Sequence, residues 1–166
     1  MQDPDLNLLI TAAKKAGELA KNYDFRKLKV SEKEGGAGPV TEADIEIDRM
    51  LFKYLTSARP DYGWLCEEST SDIPHYEKNC AFVIDPIDGT RDFIKGGNNW
   101  SHSFSVVKNG KVSAAVVYVP KQDLLFSAYL GGGSWLNGER LHINCLLYTS
   151  DAADEGLGVD LGGRRI

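Results

Sequence analysis

Residues 81–90 of the chain read AFVIDPIDGT, a continuous apolar run that leads directly into two aspartates. Such a run predicts a strand that is buried on both faces. Asp85 and Asp88 follow at its end, and the proline between them fixes φ, so we expect a tight turn that presents both carboxylates. Gly89 permits close approach of the backbone, and Thr90 is predicted to begin a helix whose free N–H groups can bind an anion.

Two further carboxylates, Glu67 and Glu68, follow the apolar run Gly63–Cys66, which is also typical of a strand. From a neighbouring strand, Glu67 can join Asp85 and Asp88 in one acidic cluster. Oxygen ligands of this kind suit magnesium, which prefers near-octahedral coordination and keeps water and substrate phosphate in its shell. A cation site beside an anion-binding turn predicts phosphoryl-transfer chemistry.

Two amphipathic helices are predicted in the first part of the chain. Asp3 and Pro4 are typical of a helix start, and apolar or small residues then recur at positions 6, 9, 10, 13, 16, 17 and 20. Thr41 can cap a second helix together with Asp44, and its apolar stripe follows at positions 47, 50, 51, 54 and 55. The glycine-rich segment 31–39 between the helices is expected to be a mobile loop.

After residue 60 the pattern changes to short apolar runs separated by turn residues, which is typical of strands. Asn109-Gly110 and Asn137-Gly138 are strong hairpin signals. The strands predicted around these turns are 103–107, 112–118, 124–129, 133–136 and 141–144. Helices first and antiparallel strands afterwards predict an α+β fold, with two helices packed on a mainly antiparallel sheet.

The composition favours a soluble domain with a small-molecule partner. The 166 residues are 42% hydrophobic and carry 19 Lys and Arg against 24 Asp and Glu, a net charge of −5. This balance argues against a nucleic-acid surface, which needs clustered basic residues, and no window is apolar enough for a membrane span. Cysteines that are few and odd in number, and an N-terminus without a basic region before an apolar stretch, predict a cytoplasmic protein.

Three ordered segments resemble the signature motifs of the inositol monophosphatase superfamily. They are Val40-Thr41-x-x-Asp44, Glu67-Glu68-Ser69 and the hexapeptide 85–90, and the resemblance covers residues 6–144. It implies the N-terminal half of a layered αβαβα sugar-phosphatase fold. It also implies a Mg²⁺-dependent phosphate monoester hydrolase that uses two or three ions, attacks its substrate directly with water and is inhibited by lithium.

The resemblance also assigns the metal ligands. Glu67, Asp85 and the carbonyl group of Ile87 would bind the first magnesium ion, and Asp85 and Asp88 would contribute to the second. Such a pair of cations is chemically sensible for phosphate esters, because one lowers the pKa of the attacking water and the other stabilises charge on the leaving oxygen.

Catalytic and phosphate-binding roles follow from the same resemblance. Asp44 and Thr90 would orient and deprotonate the attacking water, and Glu68 would support the water and metal network. The amide groups of Gly89 and Thr90 would hold the phosphate. For Asp44 a second interpretation is a carboxylate that only stabilises the start of its helix.

Several other residues allow more than one interpretation. Lys33 lies in the glycine-rich loop, where relatives carry a lysine near a third metal or the phosphate, and a solvated surface lysine is the alternative. Cys66 stands where a small residue is expected before the paired glutamates, which leaves its reactivity open. The histidines are expected at the surface or at sheet edges, and the tryptophans in packing roles; these residues are His75, His102, His142, Trp64, Trp100 and Trp135.

The resemblance covers only part of what such an enzyme needs. Relatives are longer, and a second α/β half supplies another aspartate for the second metal and most contacts to the substrate's organic part, so this chain by itself is expected to be weak or inactive. Segments 59–65 and 91–96 look closest to bacterial 3′(2′),5′-bisphosphate nucleotidases, with inositol monophosphatase as the other choice. The alternative function is a catalytically inactive metal-binding or regulatory module of the same fold. A homodimer is compatible with a full-length parent protein.

The sequence changes character at Cys145. Residues 145–166 have neither helical nor strand periodicity, and they resemble the in-frame translation of sequencing-library adaptors. The predicted metal-binding domain therefore spans 1–144 and is followed by a non-native tail, with a genuine short polar tail as the alternative. Asp151 imitates a later metal ligand of the superfamily but comes too early in the chain, and no role is assigned to it.

Overall fold

The computed structural model describes residues 3–33, 38–68 and 78–142, and the predicted tail 145–166 lies outside these ranges. Helices α1 to α3 span Pro4–Lys21, Glu42–Ala58 and Thr90–Ile94, and a short 3-10 helix spans Phe25–Lys27. Strands β1 to β9 span Val30–Glu32, Pro39–Thr41, Gly63–Cys66, Cys80–Asp88, Ser101–Lys108, Lys111–Val119, Leu124–Tyr129, Gly133–Leu136 and Glu139–Arg140. Within this described part, no helix is long and apolar enough to cross a membrane.

Helix α1 begins where the sequence predicts it. The Asp3 carboxylate accepts hydrogen bonds from the N–H groups of Asp5 and Leu6 and so caps the first turn. Further along the helix, a Cβ atom at Gly17 would come within 2.6 Å of a ring carbon of Tyr118 on β6. Any larger residue at Gly17 would therefore require the Tyr118 ring or α1 to shift.

Helix α2 carries the predicted capping box. The Thr41 hydroxyl accepts from the N–H group of Asp44, and the Asp44 carboxylate accepts from the N–H and hydroxyl groups of Thr41. Its inner face buries Ile47, Leu51 and Leu55 completely. Helices α1 and α2 contact each other and the strands, so they form one layer on one face of the sheet.

Strands β3 to β9 form a single sheet in sequential order. Each neighbouring pair in this described sheet is antiparallel except β3 with β4, which is parallel. The turns at Asn109-Gly110 and Asn137-Gly138 lie where they are predicted, and their residues have positive φ angles of 50°, 74°, 51° and 86°. Two main helices on a mainly antiparallel sheet confirm the predicted α+β fold.

Three segments differ from the prediction. The ends of the expected mobile loop 31–39 form the antiparallel pair β1–β2. Strand β4 continues through Pro86 to Asp88 with irregular pairing instead of ending in a tight turn, because the φ angle of proline is compatible with extended backbone at a bulge. The last described strand is β9, whereas Leu141 and His142 lie outside it and the rest of the predicted strand 141–144 falls outside the described residues.

The core lies between the helices and one face of the sheet. Its largest fully buried side chains include Trp64, Phe82, Phe93 and Phe104, and Trp100 is almost fully buried. The packing role predicted for Trp64 and Trp100 is confirmed. Trp135 is only half-buried and stacks on Tyr129, with their ring centroids 5.2 Å apart.

Asp5, near the start of α1, ties the helix layer to the sheet. Its buried carboxylate accepts hydrogen bonds from Arg59 Nε at 2.9 Å and from the Tyr62 hydroxyl at 3.0 Å, and it pairs with Lys108 Nζ at 2.7 Å. Burial by itself would raise the pKa of Asp5. The hydrogen bonds from Lys108 and Tyr62 and the charges of Lys108 and Arg59 outweigh burial and hold this pKa below its ordinary value.

We expect the substitution Asp5→Asn to lower the free energy of unfolding at pH 7 by about 2 to 3 kcal/mol, because it leaves two cations without their buried partner. A carboxylate with a lowered pKa stabilises the fold above its ordinary pKa and loses that contribution as the pH falls through the folded-state value. The difference between wild type and variant should therefore shrink below about pH 4. Urea unfolding followed by tryptophan fluorescence between pH 3 and pH 7 measures it.

The exposed Asp61, for which the structure shows no ion pair, provides the matched control. Asp61→Asn should change the free energy of unfolding by less than about 0.5 kcal/mol at any pH. An Asp5→Asn variant as stable as wild type at pH 7 would contradict a stabilising role for this ion network.

Candidate active site

The predicted site lies at the carboxyl end of β3, beside the last residues of β4. These strands are parallel neighbours with Cys66 opposite Ile84, so the chain delivers Glu67 beside Asp85 at one edge of the sheet. The N–H group of Glu67 continues the pairing and donates to the carbonyl of Ile84 at 3.1 Å. The neighbourhood of Glu67 and Asp85 therefore follows directly from strand register.

Strand β4 contains a bulge at this edge. Asp85 pairs with Ser103 of β5 and Asp88 pairs with Ser101, so the two residues between the aspartates face a single residue of β5. Asp85 is half-buried and Asp88 is exposed. The two aspartates therefore lie at the same edge of the sheet but differ in burial.

The Asp85 carboxylate lacks compensation for its charge. Burial, then the charges of Glu67 and Asp88 and a hydrogen bond with Glu67, raise the pKa of Asp85 to about 7. Its Oδ1 atom is buried and has no hydrogen-bond partner. An unpartnered carboxylate oxygen among like charges is the environment that a bound cation would relieve.

Lys33 supplies the positive charge that lies nearest to these acids. Its Nζ atom lies 2.6 Å from Glu67 Oε1 and 2.7 Å from Glu68 Oε1. Burial tends to lower the pKa of Lys33, but the hydrogen bonds and charges of both glutamates outweigh burial and raise it. Lys33 is therefore an ammonium ion within the site, and the interpretation as a solvated surface lysine is wrong.

Glu68 is the more enclosed of the paired glutamates. Only 5% of its side chain is exposed, against 51% for Glu67. Burial raises the pKa of Glu68, Lys33 opposes this, and the charges of Asp44 and Glu67 add to the increase. Asp44 therefore belongs to the same electrostatic cluster as the two glutamates.

Thr90 and Asp44, the residues predicted to orient and deprotonate the attacking water, form no hydrogen bond with each other. Thr90 begins α3 as predicted, but its hydroxyl donates to the carbonyl of Ile87 at 2.9 Å. One oxygen of Asp44 is occupied by Thr41 through the capping box, and the other, Oδ1, is buried without a partner. Each group has a nearer partner in its own segment, which the sequence pattern does not reveal. Burial also raises the pKa of Asp44.

Gly89 has a conformational requirement that few other residues can meet. Its φ angle is +88°, and a Cβ atom there would lie 2.8 Å from the carbonyl oxygen of Asn99. Gly89 and Thr90 line a cleft of about 250 Å³ together with Gly38, Pro39, Lys33, Glu67 and Arg91. The cleft therefore brings two cationic side chains to the predicted phosphate position.

The chemistry of the donor set fits a hard divalent cation. Asp44 and Asp85 each keep a buried oxygen without a partner, and the surrounding side chains are carboxylates, which are the ligands that magnesium prefers. Over residues 3–33, 38–68 and 78–142, however, no three Asp, Glu, His or Cys side chains converge in a ligand geometry. The assignment of Glu67, Asp85, Ile87 and Asp88 as ligands stays a prediction.

The sequence interpretation missed or left open three residues near the site. Arg91 lines the cleft, and its position directly after the motif is the only signal for it. The expectation for His102 is the surface or a sheet edge, but it is fully buried on an inner strand, and its alternation with Trp100 and Phe104 could have indicated this. Burial and a hydrogen bond with Asp48 raise the pKa of Cys66, so this buried thiol stays protonated and is a packing residue.

Comparisons with known proteins identify relatives of this chain. The model of the Inositol monophosphatase family matches residues 1–153. An inositol-1-monophosphatase of Rhizobium meliloti is 36% identical over 149 residues, covering 89% of this chain and 55% of the relative. The Nus factor SuhB of Escherichia coli is 35% identical over 139 residues, covering 83% and 52%. The chain thus spans about half the length of these curated relatives.

Solved structures give the same result for the fold. The extragenic suppressor protein SuhB of Bartonella henselae has a TM-score of 0.78 at 35% identity, covering 86% of this chain and 55% of the other. An inositol monophosphatase of Thermotoga maritima has a TM-score of 0.78 at 32% identity, covering 86% and 54%. Ordered motifs, strand register and these matches together place the chain in the inositol monophosphatase family.

Proposed function

We propose that this chain forms the N-terminal metal-binding part of a magnesium-dependent phosphate monoester hydrolase. The observation that carries the proposal is the unpartnered Asp85 carboxylate oxygen among the charges of Glu67 and Asp88, beside a cleft that Lys33 and Arg91 line. Opposite charges side by side suit a phosphate that binds together with cations. Relatives named inositol-1-monophosphatase support the reaction class.

The residues of the site would have different roles in metal binding and proton transfer. Glu67, Asp85, Asp88 and the Ile87 carbonyl would hold two or three magnesium ions, which supply activation of water and stabilisation of the leaving oxygen. Asp44 would accept the proton of the attacking water. Its Oδ1 atom has no hydrogen-bond partner, and its charge acts on Glu68, so it lies close to this cluster.

Two further pairs of residues would balance charge and bind the phosphate. Glu68 and Lys33 keep the charge of the site balanced before cations bind. Gly89 and Thr90 form the floor of the cleft in which the phosphate would lie, and the Thr90 hydroxyl would need to leave Ile87 in order to act together with Asp44. A threonine hydroxyl can rotate to a different acceptor, so the observed bond to Ile87 does not by itself exclude the proposed role.

The substrate class is a small phosphate monoester, with two chemical candidates. The names of the relatives favour inositol 1-phosphate, whereas segment 91–96 resembles enzymes that act on 3′(2′),5′-bisphosphate nucleosides. Both substrates share the monoester that the cleft would bind. We further propose that the chain has no nucleic-acid surface, because its net charge is −5. We propose a cytoplasmic location because its cysteines are few and odd in number.

A second candidate function is a metal-binding or regulatory module without turnover. Several relatives at 33–35% identity are named Nus factor SuhB, not phosphatase. Under this proposal the carboxylates would still bind cations, but no substrate would be hydrolysed. The two candidates therefore differ in phosphate release and agree in metal binding.

Phosphate release in the presence of Mg²⁺ tests the enzyme proposal. We expect little release by this chain, because half of a two-metal site stabilises the attacking and leaving oxygens poorly. A chimera that joins residues 1–142 to the remaining part of the Rhizobium meliloti relative should hydrolyse inositol 1-phosphate, adenosine 3′,5′-bisphosphate or both, with inhibition by lithium. Phosphate is measured colorimetrically with and without EDTA.

The chimera carrying Asp85→Asn is the matched control, and it should lose about 100-fold or more in kcat/KM. A chimera that folds and binds Mg²⁺ but is inert on both substrates would favour the regulatory module. Robust turnover by the chain alone would instead show that these residues suffice for catalysis.

Lys33 generates a separate prediction about metal affinity. Its ammonium group occupies oxygens of Glu67 and Glu68 that a cation would use, so Lys33→Gln should tighten Mg²⁺ binding by about tenfold. The same change should weaken binding of inorganic phosphate, because a cation is removed from the cleft. Calorimetric titration of both ligands into the variant measures the two effects.

Lys29→Gln is the control, since Lys29 pairs with Glu42 at an exposed position. That substitution should leave both affinities unchanged. Equal Mg²⁺ affinity in wild type and the Lys33 variant would show that the ammonium and the metal do not share carboxylates.

A further inference from the structure

His102 is the one fully buried imidazole in the described part of the chain. It lies on β5 between Trp100 and Phe104, and its ring stacks on Phe104 with a centroid distance of 5.9 Å. Tyr118, its partner on β6, covers it from the neighbouring strand at 6.4 Å. An aliphatic or aromatic side chain would suit this apolar environment, so packing alone does not explain the histidine.

The polar atoms of His102 explain it better. Nδ1 forms a hydrogen bond with the carbonyl oxygen of Pro86. Because a carbonyl oxygen only accepts, Nδ1 must carry the proton, and Nε2 is then the unprotonated nitrogen. Burial lowers the pKa of His102 to about 4, although the bond to Pro86 opposes this, so the ring is neutral at pH 7.

This arrangement has a cost in stability. Nε2 is buried without a hydrogen-bond partner, and an unpartnered buried polar atom destabilises the fold. The imidazole therefore contributes one favourable polar interaction, the bond to Pro86, and one unfavourable feature. The effect of His102 that matters for the site is therefore the hydrogen bond to the backbone of β4.

Pro86 lies in the bulge that separates the two aspartates of the site. Since Asp85 pairs with Ser103 and Asp88 pairs with Ser101, residues 86 and 87 both face His102 across the strands. Proline has no N–H group, and the ladder is irregular here, so ordinary strand pairing does not fix this stretch fully. The His102 side chain bonds to the backbone at the point where the ladder is broken.

We propose that His102 is a positioning residue, which through its hydrogen bond to Pro86 holds the β4 bulge in the shape that turns Asp85 and Asp88 towards a common cation site. The cation in this inference rests on the proposed function. The effect of His102 on the shape of the bulge does not depend on the proposed function. His102 touches neither metal nor substrate, so it acts only through the backbone that carries the aspartates.

Two substitutions separate the hydrogen bond from packing. In His102→Asn the side-chain amide can take the place of Nδ1 and donate to Pro86, whereas His102→Leu fills the space without a donor. We expect the Leu variant to bind Mg²⁺ about 10- to 100-fold more weakly, as is typical when a group behind a metal ligand is lost. The Asn variant should stay within about threefold of wild type. Titration calorimetry with Mg²⁺ at pH 7 measures these affinities.

Thermal melting without metal gives the readout that a merely structural role would not reproduce. The Leu variant should melt close to wild type, because loss of the hydrogen bond to Pro86 and removal of the unpartnered nitrogen offset each other. The Asn variant should melt lower, because its smaller side chain leaves a cavity in the core. The control Val106→Ala, on the same strand and in the same core, should lower the melting temperature without changing Mg²⁺ affinity.

Crystal structures of the two His102 variants decide the inference even if metal binding fails. The expected result is a shifted Asp85–Asp88 bulge in the Leu variant and an unchanged bulge in the Asn variant. An unchanged bulge in the Leu variant, or equal Mg²⁺ affinity in Leu variant and wild type, would overturn the role of His102. A wild-type chain that binds no Mg²⁺, with the bulge shifted in the Leu variant, would overturn the proposed function and leave the positioning role standing.

Discussion

The parallel pairing of β3 with β4 is the interaction on which the site depends. All other neighbours in the described seven-stranded sheet are antiparallel, so adjacent strands elsewhere end at opposite edges. Because β3 and β4 run in the same direction, their carboxyl ends meet, and Glu67 and Asp85 emerge side by side. The resulting repulsion is built into the topology, and a bound cation or a proton on Asp85 would relieve it without breaking the sheet.

Lys33 shows how the chain tolerates this repulsion. Its ammonium group reaches the paired glutamates from the end of β1, on a separate two-stranded sheet. Asp85 receives no such partner, and its Oδ1 atom stays bare. The charge balance is therefore partial, because the two glutamates pair with a cationic side chain and Asp85 does not.

Much of the fold could be predicted because local signals and burial agree. The Thr41–Asp44 capping box, the Asn-Gly turns and the apolar run before Asp85 each determine their own segment, and the structure contains all of them. Pairing between distant segments is less visible, so the β1–β2 sheet and the continuation of β4 through Pro86 were not predicted. The hydrogen bond from the Thr90 hydroxyl to Ile87 was missed for a similar reason. The Thr90 hydroxyl has a carbonyl acceptor within its own turn, and sequence spacing does not show which acceptor wins.

The turn at Gly89 and Thr90 gains its rigidity from the core behind it. Helix α3 has only five residues, too few to be stable by itself, but Phe93 is fully buried between Phe25 and Trp100, with ring centroids 5.1 Å and 4.9 Å away. Gly89 lies against the backbone of Asn99, which leaves no room for the turn to move inwards. Ring packing therefore fixes the turn from behind while the cleft in front stays open. A site held in this way can keep its polar groups in place before a ligand binds, and this preorganisation is the main contribution that a protein scaffold makes to stabilising a transition state.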